Sequence, residues 1–235
     1  MNIFYSQNIN GNTGILDETE SHHCIKVLRQ KPGDEVYLVD GKGGFFEGTI
    51  TIADHRACTI RIEKSHFEFG KRQFSLHIAL APTKNIERYE WFLEKATEIG
   101  IDEITPLICH HSERKIIRHD RLEKVITSAM KQSLKAYHPV FHPLTQFDSF
   151  IKMQIPGKKL IAHCMEGNRQ DLIKMEPATS CFTILIGPEG DFSEMEVKTA
   201  IGNGFSPISL GSSRLRTETA GVVACQIVSD LQSLK

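Results

Sequence analysis

Two rhythms of apolar and polar residues divide the chain. In EVYLVDGKGGFFEGTITIADHRACTIRIEKS (35–65) short apolar runs alternate, so that Ile50 and Ile52 share one side of a strand and Ile60 and Ile62 one side of the next. Asp40-Gly41-Lys42-Gly43-Gly44 and Ala53-Asp54-His55 supply the turns. Short strands at this spacing predict a small β-barrel over residues 1–70. Ahead of them, ESHHCIKVLR (20–29) sets Cys24, Val27 and Leu28 at helical spacing, and Lys31-Pro32-Gly33-Asp34 forces a turn.

From Gln73 strands and helices alternate. FSLHIALAP (74–82) is strand-like, and NIERYEWFLEKATEIG (85–100) puts Ile86, Tyr89, Phe92 or Leu93, Ala96 and Ile99 on one helical face before a capping Gly100. A strand at ITPLIC follows, then a helix over 120–136 with Leu122, Val125, Ile126, Ala129 and Ser133 inward and the basic residues outward. The strands KKLIAHC and SCFTILIG come next, then a helix opened by a Ser193/Glu196 capping box, a strand near ISLG and a last helix. In that helix Ala220, Val223, Ile227, Leu231 and Leu234 line up. This order predicts an α/β domain with a mostly parallel sheet over 71–235, its boundary falling within 65–73.

The totals narrow the class. No apolar run approaches the roughly 20 residues of a membrane span, and the first residues carry no secretory pattern, so the expected location is cytoplasmic. The six cysteines are scattered without a C-x-x-C pair and read as reduced and mostly structural. A net charge of −1 argues against an indiscriminate polyanion binder, so nucleic-acid contact must rest on a local patch. Residues 110–140 hold seven basic against three acidic side chains; residues 1–70 hold seven against ten. His22-His23 and Cys109-His110-His111 are adjacent pairs that seldom converge on one ion, so no metal is expected.

Ligands of open parallel sheets sit outside the carboxyl ends of the strands. Three such ends are unusual: His163-Cys164-Met165-Glu166-Gly167, Gly187–Asp191 and Gly211–Glu218. Glycine brings backbone N–H and C=O groups close to a ligand, and Pro188 stiffens its loop, which suits an adenine edge. There is no P-loop and no G-x-G-x-x-G fingerprint, and Gly202-Asn203-Gly204 reads as a helix C-cap. These absences argue against a nucleoside triphosphate or a dinucleotide.

LIGPEGDFSEME (185–196) and LGSSRLRTETAGVVA (210–224) resemble the signature segments of the RsmE-type methyltransferases, which modify uridine N3 in 16S ribosomal RNA. HHCIKVLRQKPGD (22–34) and EWFLEKATEIGIDEITPL (90–107) resemble the same family in the same order. The resemblance implies the SPOUT class: a parallel α/β sheet with a C-terminal trefoil knot, S-adenosylmethionine as cofactor, a homodimer and an N-terminal PUA-like barrel. It implies a cofactor pocket at His163, Cys164, Met165, Glu166, Ile186, Gly187, Pro188, Glu189, Gly190, Leu210, Gly211, Ser212 and Leu215, with the reactive end near Arg216, Glu218 and Thr219. The chain departs from the family at Asp191, usually glycine, at Ser213-Arg214, where arginine usually comes one residue earlier, and at KQSLK (131–135), usually EQS-x-R.

Uracil N3 must lose its proton to attack, which calls for a general base or for a cation that stabilises the resulting anion. Arg216 suits the cation; Glu218 or Glu189 suits the base. For RNA contact the candidates are Arg29 and Lys31 on the barrel, Arg114, Arg118, Arg121, Lys131 and Lys135 in the basic segment, and Arg214. The substrate is expected within the small ribosomal subunit. Two rival readings are a non-enzymatic RNA-binding module and a small-molecule enzyme for an adenosine-containing metabolite.

Overall fold

The alternating residues of the first segment build a six-stranded sheet. The computed structural model describes residues 2–176 and 180–233, and the chain divides into two units, Met1–Lys71 with Thr127–His138 and Arg72–Ile126 with Pro139–Lys235. The first unit contains β1 (Ile3–Tyr5), β2 (Asn8–Asn10), β3 (Thr13–Ile15), α1 (Glu18–His22), β4 (Glu35–Val39), β5 (Phe45–Ile52) and β6 (Thr59–His66). Its sheet runs β1-β4-β5-β6-β3-β2, antiparallel except at β1/β4. Phe4, Leu38, Ile50, Ile60 and Ile62 fill its core.

Two expectations fail here for local reasons. A register shift between Ile50 and Ile52 turns Ile52 outward, leaving it 58% exposed, while Ile60 and Ile62 stay on the core face. The helix α1 passes into a π-helical turn at His23–Val27, so Cys24 is buried but Val27 and Leu28 face solvent.

The second unit follows the predicted alternation: β7 (Ser75–Leu80), α2 (Ile86–Ile99), β8 (Glu103–Ile108), the first part of α3 (His119–Gln132, whose residues from Thr127 on belong to the first unit), β9 (Val140–Phe141), β10 (Thr145–Gln146) and α4 (Phe147–Phe150). It continues with β11 (Lys158–Ala162), β12 (Gln170–Asp171), β13 (Cys181–Ile186), α5 (Glu194–Gly202), β14 (Ser206–Ser209) and α6 (Thr217–Ser233). The sheet order is β10-β8-β7-β13-β11-β14-β12, with β9 beside β8, and the pairings are parallel. Both faces are covered, as a parallel sheet requires. Leu76, Ile78 and Leu80 point toward α2 and α6, whereas Ala79 packs with α4 and α5.

The helices form where their caps and stripes predict. Asn85 caps α2 and Gly100, at φ 120°, ends it; Tyr89, Phe92, Leu93 and Ala96 are buried. The Ser193/Glu196 capping box opens α5. The helix α3 stops at Gln132, short of the expected 136, although Leu122, Ile126 and Ala129 are inward as read. In α6 the buried stripe is Gly221, Ala224, Cys225, Val228 and Leu231, one residue round from the expected face, because several sides of this helix are apolar. Leu234 lies outside the described residues. Of the cysteines, Cys164 is exposed, which its apolar neighbours did not suggest. No helix among the described residues is long and apolar enough to cross a membrane.

Candidate active site

Sheet order decides which loops meet. Strands β13, β11 and β14 are neighbours, so their carboxyl ends deliver the loops after Ala162, Ile186 and Ser209 to one place. Together they enclose a cavity of about 320 Å³, within the range of small-molecule sites. His163, Cys164, Ile186, Gly187, Pro188, Glu189, Leu210, Gly211 and Leu215 line it, as do Arg214 and Arg216. Four expected members do not: Met165 packs into the core beside α4 and α5, Glu166 and Ser212 face solvent, and Gly190 packs against His111.

The loops are tied by side chains. Asp191 stands at φ 64°, a left-handed conformation that explains the family's glycine and that aspartate tolerates. Its Oδ2 accepts from the Cys164 N–H at 2.7 Å, joining the first loop to the second. Thr217 Oγ1 donates to the Gly187 carbonyl at 3.1 Å, joining the third. Glu189 Oε1 accepts from the Lys84 N–H at 2.9 Å, and Arg114 holds that turn by donating to the carbonyls of Thr83 and Lys84. The GPEG glycines lie close to neighbouring side chains: a Cβ on Gly187 would sit 3.1 Å from the Phe192 ring, and one on Gly190 3.0 Å from His111 Cβ.

Polar groups without protein partners converge on the cavity. Both ring nitrogens of His163 are hidden from solvent and make no hydrogen bond. Burial pushes this imidazole below its ordinary range; Asp191 opposes the shift and Arg169 adds to it. The ring is therefore neutral at pH 7, one nitrogen a donor and the other an acceptor.

Arg216 borders a second, open cavity, shared with Asn85, Glu87, Arg88, Trp91, Glu218 and Thr219. Glu218 is nearly buried there, with Oε1 4.0 Å from Arg88 Nε and Oε2 without a partner. A cation that touches both cavities, beside a carboxylate in one of them, provides the pieces for moving charge between two ligands.

The basic candidates fall into different settings. Arg29, Lys31 and Arg118 are exposed, Arg29 at φ 58°. Arg121 pairs with Glu90 at 2.6 Å. Lys131 pairs with the nearly buried Glu20, so its charge is held inside the first unit. Lys135 is half-buried, and Arg214 is exposed at the first cavity.

Residues 71–229 match the family model described as an RNA methyltransferase domain. The chain belongs to the RNA methyltransferase family. Residues 16–63 match the RNA methyltransferase PUA domain, which fits the curled six-stranded sheet. A ribosomal RNA small subunit methyltransferase E from Buchnera aphidicola (subsp. Acyrthosiphon pisum) is 30% identical over 219 residues, 89% of this chain and 84% of its own length. A probable rRNA methyltransferase from Porphyromonas gingivalis shares 40% identity over all of this chain and 99% of its own, with a TM-score of 0.89. The ribosomal RNA small subunit methyltransferase E of Neisseria gonorrhoeae, solved bound to S-adenosyl methionine, shares 26% identity over 100% and 98% of the chains, at a TM-score of 0.85.

Within this RNA methyltransferase, the sequence reading overlooked Asp191 as a cross-link, Thr217 as a tie, and Arg88 and Trp91 beside the reactive end. Thr217 was within the motif RLRTETA. Arg88 and Trp91 lie at i, i+3 on the polar side of α2, where no motif or spacing marks a cavity.

Proposed function

We propose that this chain transfers a methyl group from S-adenosylmethionine to N3 of a uridine in 16S rRNA, acting on the small ribosomal subunit. The observation that carries the proposal is the geometry of Arg216, which lines both the loop-walled cavity and the open one beside Trp91 and Glu218. The residues fit the cofactor: a neutral, unsatisfied His163 and three backbone-rich loops face a cavity of suitable size. We assign its binding to His163, Cys164, Ile186–Glu189, Leu210, Gly211 and Leu215. Bound there, S-adenosylmethionine supplies an electrophilic methyl carbon.

The chain's own groups do the rest. Arg216, with its forked guanidinium, stabilises the negative charge that grows on the uracil oxygens as N3 is deprotonated. Glu218 is the better placed proton acceptor, since it borders the open cavity with an oxygen unengaged, whereas Glu189 is held by the Lys84 N–H. Trp91, 42% exposed, offers a stacking face for a base. Exposed Arg29, Lys31 and Arg118 contact phosphates, which positions the RNA without reading it. The same reading carries a PUA-like unit within residues 1–70, a methyltransferase unit over 71–235 with its C-terminal trefoil knot, a homodimer, and a cytoplasmic location.

Nucleoside analysis of small-subunit RNA from cells lacking the gene tests the reading. 3-Methyluridine should vanish and return when this chain is supplied; its persistence in the deleted strain would sink the proposal.

A further inference from the structure

At the opposite edge of the same sheet, three side chains that play no part in the proposed reaction converge. His77 and Glu103 are register partners on the adjacent parallel strands β7 and β8, so their side chains leave the same face side by side. Val140 is the partner of Glu103 on β9, and His142, two residues on, returns to that face. Three neighbouring strands thus set imidazole, carboxylate and imidazole in a row. One ligand atom from each lies within 4.8 Å of the others, and His142 Nε2 is 2.7 Å from Glu103 Oε2. All three are half-buried and border a cavity of about 350 Å³ between the sheet and Phe150.

We propose that His77, Glu103 and His142 form a binding site for a divalent transition-metal ion of the zinc class. Two imidazoles and one carboxylate are a donor set that zinc takes with a water as fourth ligand. An ion about 2.0–2.1 Å from each ligand holds them roughly 3.3 Å apart in a tetrahedron, so side-chain rotation of about an ångström completes the site. The Thr105 hydroxyl, 2.8 Å from His77 Nε2, steadies that ring, as the outer partners of metal-bound histidines do. The Glu103 carboxylate supplies the negative charge such an ion needs.

The ion would fasten β7 and the start of β8 to the residue that follows β9, while the methyl-transfer cavity opens at the carboxyl ends of β11, β13 and β14. The site therefore stands or falls independently of the proposed reaction.

Calorimetric titration of zinc chloride into the full chain, after dialysis against a chelator, tests it. We expect one zinc per chain, with affinity lowered about tenfold or more by His142→Ala. Glu103→Gln, whose amide still hydrogen-bonds His142 and so preserves the fold, should weaken binding as well. His22→Ala, at an exposed histidine, should leave it unchanged. Lack of binding at near-millimolar zinc, or binding indifferent to both Glu103→Gln and His142→Ala, would overturn the assignment.

Discussion

Asp191 takes a left-handed backbone that a glycine would adopt without strain, and uses its carboxylate to hold the Cys164 N–H. This departure from the family motif was visible in the sequence; the bond that exploits it was not, because it spans loops 27 residues apart. Arg216 was expected near the reactive end from the family resemblance, and the structure adds that it borders two cavities. Arg216→Ala is expected to lower methyl transfer at least about a hundredfold, the scale of losing one preorganised charge-stabilising group. Affinity for S-adenosylmethionine, measured by calorimetry, should stay nearly unchanged; equal loss of both would place the arginine in cofactor binding instead. His163 gives a pH prediction. Its folded-state proton affinity lies below that of the unfolded chain, which titrates near 6.5. Below that pH the unfolded state holds more protons, so stability falls as the pH drops. Denaturant melts at pH 7.5 and 5.5 should show a smaller loss for His163→Gln than for the unmodified chain.

At the scale of elements, most of the second unit was readable because its strands are apolar runs and its helices are capped stripes. The helix α2 and the capping box of α5 fall where Asn85, Gly100, Ser193 and Glu196 place them. The short strands β9, β10 and β12 have two residues each, too few for any period to show. In the first unit, one π-helical turn and one bulge were enough to reverse the outward or inward sense of Val27, Leu28 and Ile52. The buried stripe of α6 includes Gly221. A glycine in a helix interior looks like a weak point, yet here it lets α6 approach α2. A Cβ at that position would sit 2.5 Å from Phe92 and 2.6 Å from Leu80. Gly221→Ala, despite its better helix propensity, is therefore expected to destabilise the fold by about 1–3 kcal/mol, the usual cost of overpacking. A lowered midpoint in urea would bear this out, and a raised one would show that the core yields.

For the molecule as a whole, the alternation of strands and helices led to a parallel sheet, and the sheet rule led to loops at carboxyl ends. Motif and architecture thus pointed to the same cavity. Register was out of reach: nothing in the sequence aligns His77 with Glu103 and His142, which only strand pairing brings together. Charge balance was also a blunt guide, since the basic stretch 110–140 spends Arg114 on carbonyls and Lys131 on Glu20. In the proposed function, the cavities at Arg216 serve one reaction, methyl transfer to RNA. Labelled S-adenosylmethionine is incubated with this chain and with small ribosomal subunits from cells that lack it, and the RNA is digested to nucleosides. Label should appear in 3-methyluridine. Label in another nucleoside, or no transfer by protein that binds the cofactor, would contradict methyl transfer to uridine N3.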